Sequence, residues 1–253
     1  MEKLIYEIRD RIGFITLNRP EKKNAFDEDL TTALRKALED IKENPDVWVG
    51  ILTGKGDAFS TGHDLGWQHQ PEIGSGKSTA DLYEVIHTLW KPMVSAINGY
   101  CLAQGAGMAL SCDIRIAADD AKFGWPQVKR GIASLSGPVV LSKLVPYNIA
   151  LQYLFTGDFF TAKEALRWGL VNMIVPKDKL MEETEKFVRT KILVNAPLPM
   201  RTIKEVAVRG RSMTVLDQNR LAGLFRARVL DSEDSKEGLK AFFEKRAPEF
   251  KGK

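Results

Sequence analysis

KPMVSAINGYCLAQGAGMALSCDIRIAADDAKFGWPQVKRGI, residues 91–132, sets short apolar runs on either side of one glycine- and alanine-rich segment. MVSAIN (93–98) and DIRIAA (113–118) read as strands, each an apolar run closed by turn-forming or charged residues. Between them, LAQGAGMALSC (102–112) reads as a helix whose glycines and alanines permit tight packing. Strand, helix, strand at this spacing predicts repeated ββα-like units and an α/β fold.

Towards the N-terminus, residues 3–8 (KLIYEI) and 12–17 (IGFITL) alternate like half-buried strands, with Asp10 and Gly13 marking the turn of a hairpin. Asp27 is placed to cap a helix in which Leu30, Ala33, Leu34, Ala37, Leu38 and Ile41 recur at helical spacing, up to Asn44-Pro45. VWVGILT (47–53) reads as a buried strand, and the Gly-, Ser-, His- and Gln-rich stretch 54–77 as a long loop of the kind that carries function. A helix is expected over 79–90. From Tyr147 onward strands thin out and helical periodicity takes over, with amphipathic stretches at 180–195 and 213–230. No low-complexity linker interrupts the chain, so a core over 1–195 and a helical region over 196–253 are expected, the latter packed on the core or on a neighbouring subunit.

The 253 residues, 44% hydrophobic and 28% charged, suffice for one main domain with a sizeable core. No run approaches the roughly 20 apolar residues that span a bilayer, and the opening MEKLIYEIRD lacks a signal-peptide pattern, so no membrane association and a cytoplasmic location are expected. Two cysteines, Cys101 and Cys112, read as reduced thiols without metal-type spacing. The net charge of +4 is spread over the chain without a basic run interleaved with aromatics, so nucleic acid is not an expected partner. The mild positive excess would suit a phosphorylated small molecule, but it is first of all ordinary for a globular protein.

LNRPEKKNAF (17–26), GKGDAFSTGHDL (54–65), the stretch 91–132 and FTGDFFTAKEALRWGLVNMIVP (155–176) together resemble the crotonase (enoyl-CoA hydratase/isomerase) family in order and spacing, and EGLKAFFEKRAPEF (237–250) resembles its usual ending. The resemblance implies a superhelix of ββα units with a C-terminal helical region, assembled as a homotrimer or a dimer of trimers. It also implies an acyl-CoA substrate of the kind used in fatty acid metabolism, with no cofactor beyond the CoA and no metal. The shared chemistry is stabilisation of a thioester enolate by two backbone N–H donors, which the resemblance assigns to His63 and Gln104. Gly62 and Gly105 fit residues that let the backbone approach a ligand. Lys22, Lys23, Ala25, Gly62, Asp64 and Leu65 fall where the family holds CoA, and Arg226, beside Phe225, where some members add a contact from C-terminal helices. Either lysine is also readable as a solvated surface charge.

The departures are as informative as the match. Hydratases of the family hold and activate water with two glutamates, and the matching positions here are Gly107 and Gln127. An amide hydrogen-bonds water without taking its proton, and glycine contributes no side chain. Gly107 leaves space that, with Trp125 nearby, would take a bulkier acyl group; Trp125 reads equally as core. The helix at 79–90 offers Glu84 and His87 at i, i+3 as acid and base, or as its solvent face; His69 and Tyr83 are weaker candidates. Ser134 and Ser136 stand where some branches place a catalytic aspartate, and read as shaping a turn. No G-x-S-x-G elbow is present. Three readings follow: a hydratase or isomerase with a non-standard proton mover, a decarboxylase or C–C lyase of the same family, and a non-catalytic CoA-binding paralogue.

Overall fold

The computed structural model describes residues 2–67 and 71–253. His69, a sequence candidate, lies outside the described residues. The chain opens with the expected hairpin: β1 (Leu4–Arg9) pairs antiparallel with β2 (Ile12–Leu17). Its tight turn is carried by Asp10 and Arg11, both at positive φ, and Gly13, read from the sequence as a turn residue, is paired with Ile8 inside β2. Gly13 serves packing instead, since a Cβ there would stand 2.9 Å from the Ile41 side chain. That side chain belongs to α1 (Glu28–Glu43), which starts where expected: the Asp27 carboxylate accepts from the Leu30 N–H at 3.0 Å, a cap worth about 1 kcal/mol. Leu30, Leu34, Ala37, Leu38 and Ile41 are all buried against the sheet.

Three further units then repeat one pattern, a long strand for one sheet followed by a three-residue strand for the other. β3 (Val49–Gly54) precedes β4 (Ala58–Ser60) and α2 (Asp81–Thr88); β5 (Met93–Ile97) precedes β6 (Tyr100–Leu102) and α3 (Ala103–Ser111); β7 (Ile114–Ala118) precedes β8 (Lys122–Gly124). After α4 (Ser136–Val140) and α5 (Tyr147–Thr156), β9 (Phe159–Thr161), α6 (Ala162–Arg167) and β10 (Met173–Val175) complete the sheets. The larger sheet runs β1-β2-β3-β5-β7-β10 and is parallel from β2 onward; the smaller runs β4-β6-β8-β9. This is the expected spiral of ββα units. The short strands are the addition: β4 lies within the stretch read as loop, and β9 and β10 lie beyond the point where strands were expected to thin out.

The remainder is helical, with α7 (Leu180–Phe187), α8 (Pro197–Arg209), α9 (Val215–Leu230) and α10 (Glu233–Glu244). α8 is anchored by an ammonium. The buried Lys204 Nζ donates to the Ile86 carbonyl at 2.9 Å, the Lys91 carbonyl at 3.0 Å and Asp113 at 2.8 Å. Lys91, also buried, donates to the Ile41 and Asn44 carbonyls and so closes the C-terminal end of α1. α9 is the opposite case: none of its residues is buried, and Val215, Leu216 and Leu224 are exposed. Among the described residues, no helix is long and apolar enough to cross a membrane.

Candidate active site

Two loops and one helix end are fastened together by the LNRPEKKNAF segment. Asn24, fully buried at a φ of 55°, accepts from the Arg19 N–H through Oδ1 and donates through Nδ2 to the Lys55 and Ala58 carbonyls. The Arg19 guanidinium donates to the Ala25 carbonyl at 3.0 Å and pairs with Asp64 at 2.7 Å. An N–H from Gly66, and then this guanidinium, hold the Asp64 carboxyl below its ordinary range. The Phe26 N–H donates to the Gly62 carbonyl, and the Asp64 N–H to the Phe26 carbonyl, so Phe26 and His63 form a parallel bridge. In such a bridge the two bonds flank His63, and its own N–H is turned to the opposite side.

On that side stands the start of α3. Gly62 has a φ of 100°, and a Cβ on it would meet the Ala103 Cβ at 2.9 Å and the Gln104 nitrogen at 3.1 Å. Only a glycine lets the 62–63 peptide come this close to the helix end. Ala103, the first residue of α3, is itself at a φ of 51°, a left-handed conformation that costs a non-glycine residue about 1 kcal/mol or more and is concentrated at functional sites. The helix has no side-chain cap, so the amides of its first turn are left for other acceptors. Among the described residues, neither the His63 N–H nor the Gln104 N–H has an acceptor. Gly105 adds close contact, its notional Cβ falling 2.4 Å from the Ser60 carbonyl oxygen. Two free amides beside a helix N-terminus suit an oxygen that gains negative charge.

The surroundings of Gly107 differ from the sequence expectation. The space left by the missing side chain is filled: a Cβ at Gly107 would lie 2.2 Å from the Tyr83 hydroxyl and 2.6 Å from the Ser136 Cβ. The cause is a buried polar cluster. The Trp125 Nε1–H donates to Ser136 Oγ at 2.9 Å, Ser136 donates to the Ala103 carbonyl at 2.9 Å, and Tyr83 donates to the Gln104 carbonyl at 3.3 Å. Trp125 is therefore core, stacked on Phe160, rather than a wall against bulky acyl groups. Burial raises the Tyr83 phenol well above its ordinary value, which keeps it a neutral donor. Tyr83, with His69 a weaker candidate than Glu84 and His87 from the sequence, sits one turn of α3 from the free amides. Ser134 does shape its turn, accepting from the Gly137 N–H, whereas Ser136 belongs to the cluster. Gln127, the second position read from the sequence against a family glutamate, is half-buried, and its Oε1 has no partner among the described residues.

Tyr83, Glu84, His87 and Ser136 line one pocket of about 540 Å³ between α2 and α4, with Leu110, Val140 and Val208 as apolar walls. Glu84 is exposed and His87 half-buried at its edge. Burial first, then Arg211 and Lys204, lower the His87 imidazole below its ordinary range, leaving it neutral near pH 7. The His63 side chain, against Trp67, is lowered to about 4 by burial.

The residues expected around CoA divide. Lys22, Lys23, Ala25, Gly62, Asp64 and Leu65 come together where the two loops meet; Lys23 lies over the Tyr100 ring at 4.9 Å, and Leu65 is 75% exposed. Arg226 does not join them: it projects from α9 into a cleft with Pro199, Val206 and Val229. Arg19 went unread in the sequence, where a single arginine gives no signal that it gathers the Ala25 carbonyl, Asp27 and Asp64.

Comparison with known proteins bears on this site. A sequence-family description, enoyl-CoA hydratase/isomerase, matches residues 7–253. The chain is 37% identical over 255 residues to the (E)-benzylidenesuccinyl-CoA hydratase of Thauera aromatica, covering 97% of this chain and 98% of that one. It is 32% identical to the crotonyl-CoA hydratase of Syntrophomonas wolfei, with 98% of each chain covered. Among solved structures, an enoyl-CoA hydratase of Mycobacterium tuberculosis superposes with a TM-score of 0.93 at 32% identity over the whole of both chains.

Proposed function

Since the chain belongs to the enoyl-CoA hydratase/isomerase family, we propose that it acts on an enoyl-CoA thioester, adding water across the double bond. The observation that carries this reading is the pair of free amides, His63 and Gln104, brought together by Gly62 and the start of α3. The thioester oxygen accepts from both as negative charge moves onto it. CoA lies along the loops of Lys22, Lys23, Ala25, Gly62, Asp64 and Leu65, with Lys22 or Lys23 towards phosphate.

Neither Gly107 nor Gln127 supplies a base, so the proton is moved from α2. The water oxygen bonds to the β-carbon while its proton passes to the neutral His87 imidazole, with Glu84 beside it on the same helix. The enolate then collapses as the α-carbon takes a proton back from the His87 imidazolium, which returns to its neutral form. Tyr83 and the Gln127 amide hold the water in place. The hydratase names of the relatives support the reaction type. One observation favours a second reading: with no carboxylate at 107 or 127, decarboxylation of a CoA thioester needs the same two amides and no strong base. The exposed apolar side chains of α9 and α10, including Phe242 and Phe243 at 77% exposure each, suit contacts in a trimer or dimer of trimers.

The test is hydration of crotonyl-CoA and of glutaconyl-CoA, followed as loss of conjugated enoyl absorbance. Turnover of either supports the reading. Failure of both, together with failure of CoA thioesters to bind, overturns it; binding without turnover leaves the decarboxylase or a non-catalytic binder.

A further inference from the structure

The far end of the acyl pocket carries charge that hydration does not use. Tyr83 and Ser136 occupy the end beside the first turn of α3. His87 follows one turn later on α2, roughly 6 Å along the helix axis, and beyond it Lys143 and Arg211 complete the lining. The only carboxylate among the described lining residues is Glu84, which is exposed.

The other cations nearby are already engaged. A contiguous pocket of about 390 Å³ shares His87 and Arg211 and adds Lys204 and Arg115. Lys204 is paired with Asp113 at 2.8 Å, and Arg115 donates to the Leu170 carbonyl and, at 2.7 Å, to that of Cys112. Among the described residues, Arg211 and Lys143 have neither an ion pair nor a hydrogen bond. A largely apolar pocket that reaches Tyr83, whose hydroxyl donates to the Gln104 carbonyl, and carries two exposed, unpaired cations at its rim fits a chain with a thioester at one end and an anion at the other.

Building on the acyl-CoA reading above, we propose that the substrate is the CoA half-thioester of a dicarboxylic acid, its free carboxylate received by Arg211 and Lys143. The guanidinium supplies the planar, two-pronged donor that a carboxylate fits, and Lys143 adds a point charge. A plain alkyl chain would leave both rim cations, which are exposed, without an anion to pair. Specificity would then come from the cationic end and reaction from the amide end of one channel.

The experiment is calorimetric binding of butyryl-CoA and glutaryl-CoA, saturated thioesters that differ in the terminal carboxylate. The expected result is that the wild-type protein binds glutaryl-CoA about tenfold tighter. Arg211→Ala should bring the glutaryl-to-butyryl affinity ratio close to one, and Lys143→Ala should reduce it by about threefold. Equal affinities in the wild type, or ratios untouched by both substitutions, overturn the proposal while leaving the acyl-CoA reading standing. Failure of both thioesters to bind overturns the two together.

Discussion

The cleft has two walls built on different principles. One is backbone: Gly62, His63 and Gln104, with Gly105 seated against Ser60. The other is side chain: Tyr83, Glu84 and His87 on α2 facing Ser136 on α4. The backbone wall is indifferent to which side chains stand at 63 and 104 but intolerant of a methyl group at its glycines. The side-chain wall is open to exchange, and here a phenol and a serine fill the space beside Gly107. On the proposed reading, charge stabilisation would rest on the backbone wall and proton transfer on the side-chain wall.

The comparison is broken most severely at Gly105. Gly105→Ala drives a methyl group into the Ser60 backbone, displaces α3 from β4 and should lower kcat/KM by about a thousandfold, measured with whichever enoyl-CoA proves to be the substrate. The side-chain wall is tested next by His87→Gln, expected to cost about a hundredfold in kcat with little change in binding. A loss of less than threefold would remove His87 as base and favour decarboxylation. Tyr83→Phe is milder, about tenfold in kcat, because the amides remain and only the hydroxyl bonded to the Gln104 carbonyl is lost. Binding of a saturated thioester to this variant separates a role in holding water from a role in packing.

The smallest effect on turnover belongs to the His63 imidazole, which is held neutral down to about pH 4 in the folded state against 6.5 in the unfolded chain. Between those values the unfolded chain binds more protons, so stability falls as pH drops through that window, by on the order of 2 kcal/mol. Denaturant titrations at pH 7 and pH 4.5 should show this for the wild type, and His63→Gln should flatten it while retaining the amide.

The backbone wall was legible in the sequence because it is written in glycines and a fixed order of segments. The hairpin and α1 were legible for the same kind of reason, from alternation and from Asp27. The side-chain wall was only half legible. Glu84 and His87 stood out by chemical type, but Tyr83 occupies an inward position of an amphipathic helix, where a tyrosine reads as core. Only the contacts of Ser136 with Trp125 and the Ala103 carbonyl, and of the Tyr83 hydroxyl with Gly107, reveal the polar cluster it belongs to. The three-residue strands escaped notice because AFS, YCL and KFG are too short to display alternation. α9 was read as amphipathic from its sequence and buries no side chain in the single chain.

Lys204 gives this cleft a mechanical property. A single ammonium joins the end of α2, the turn before β5, the start of β7 and the middle of α8. α8 leads within two residues to Arg211, and α2 carries Tyr83 and His87. On the proposed reading, a ligand that draws Arg211 inward would pull on a strut fixed to α2, which carries Tyr83 and His87.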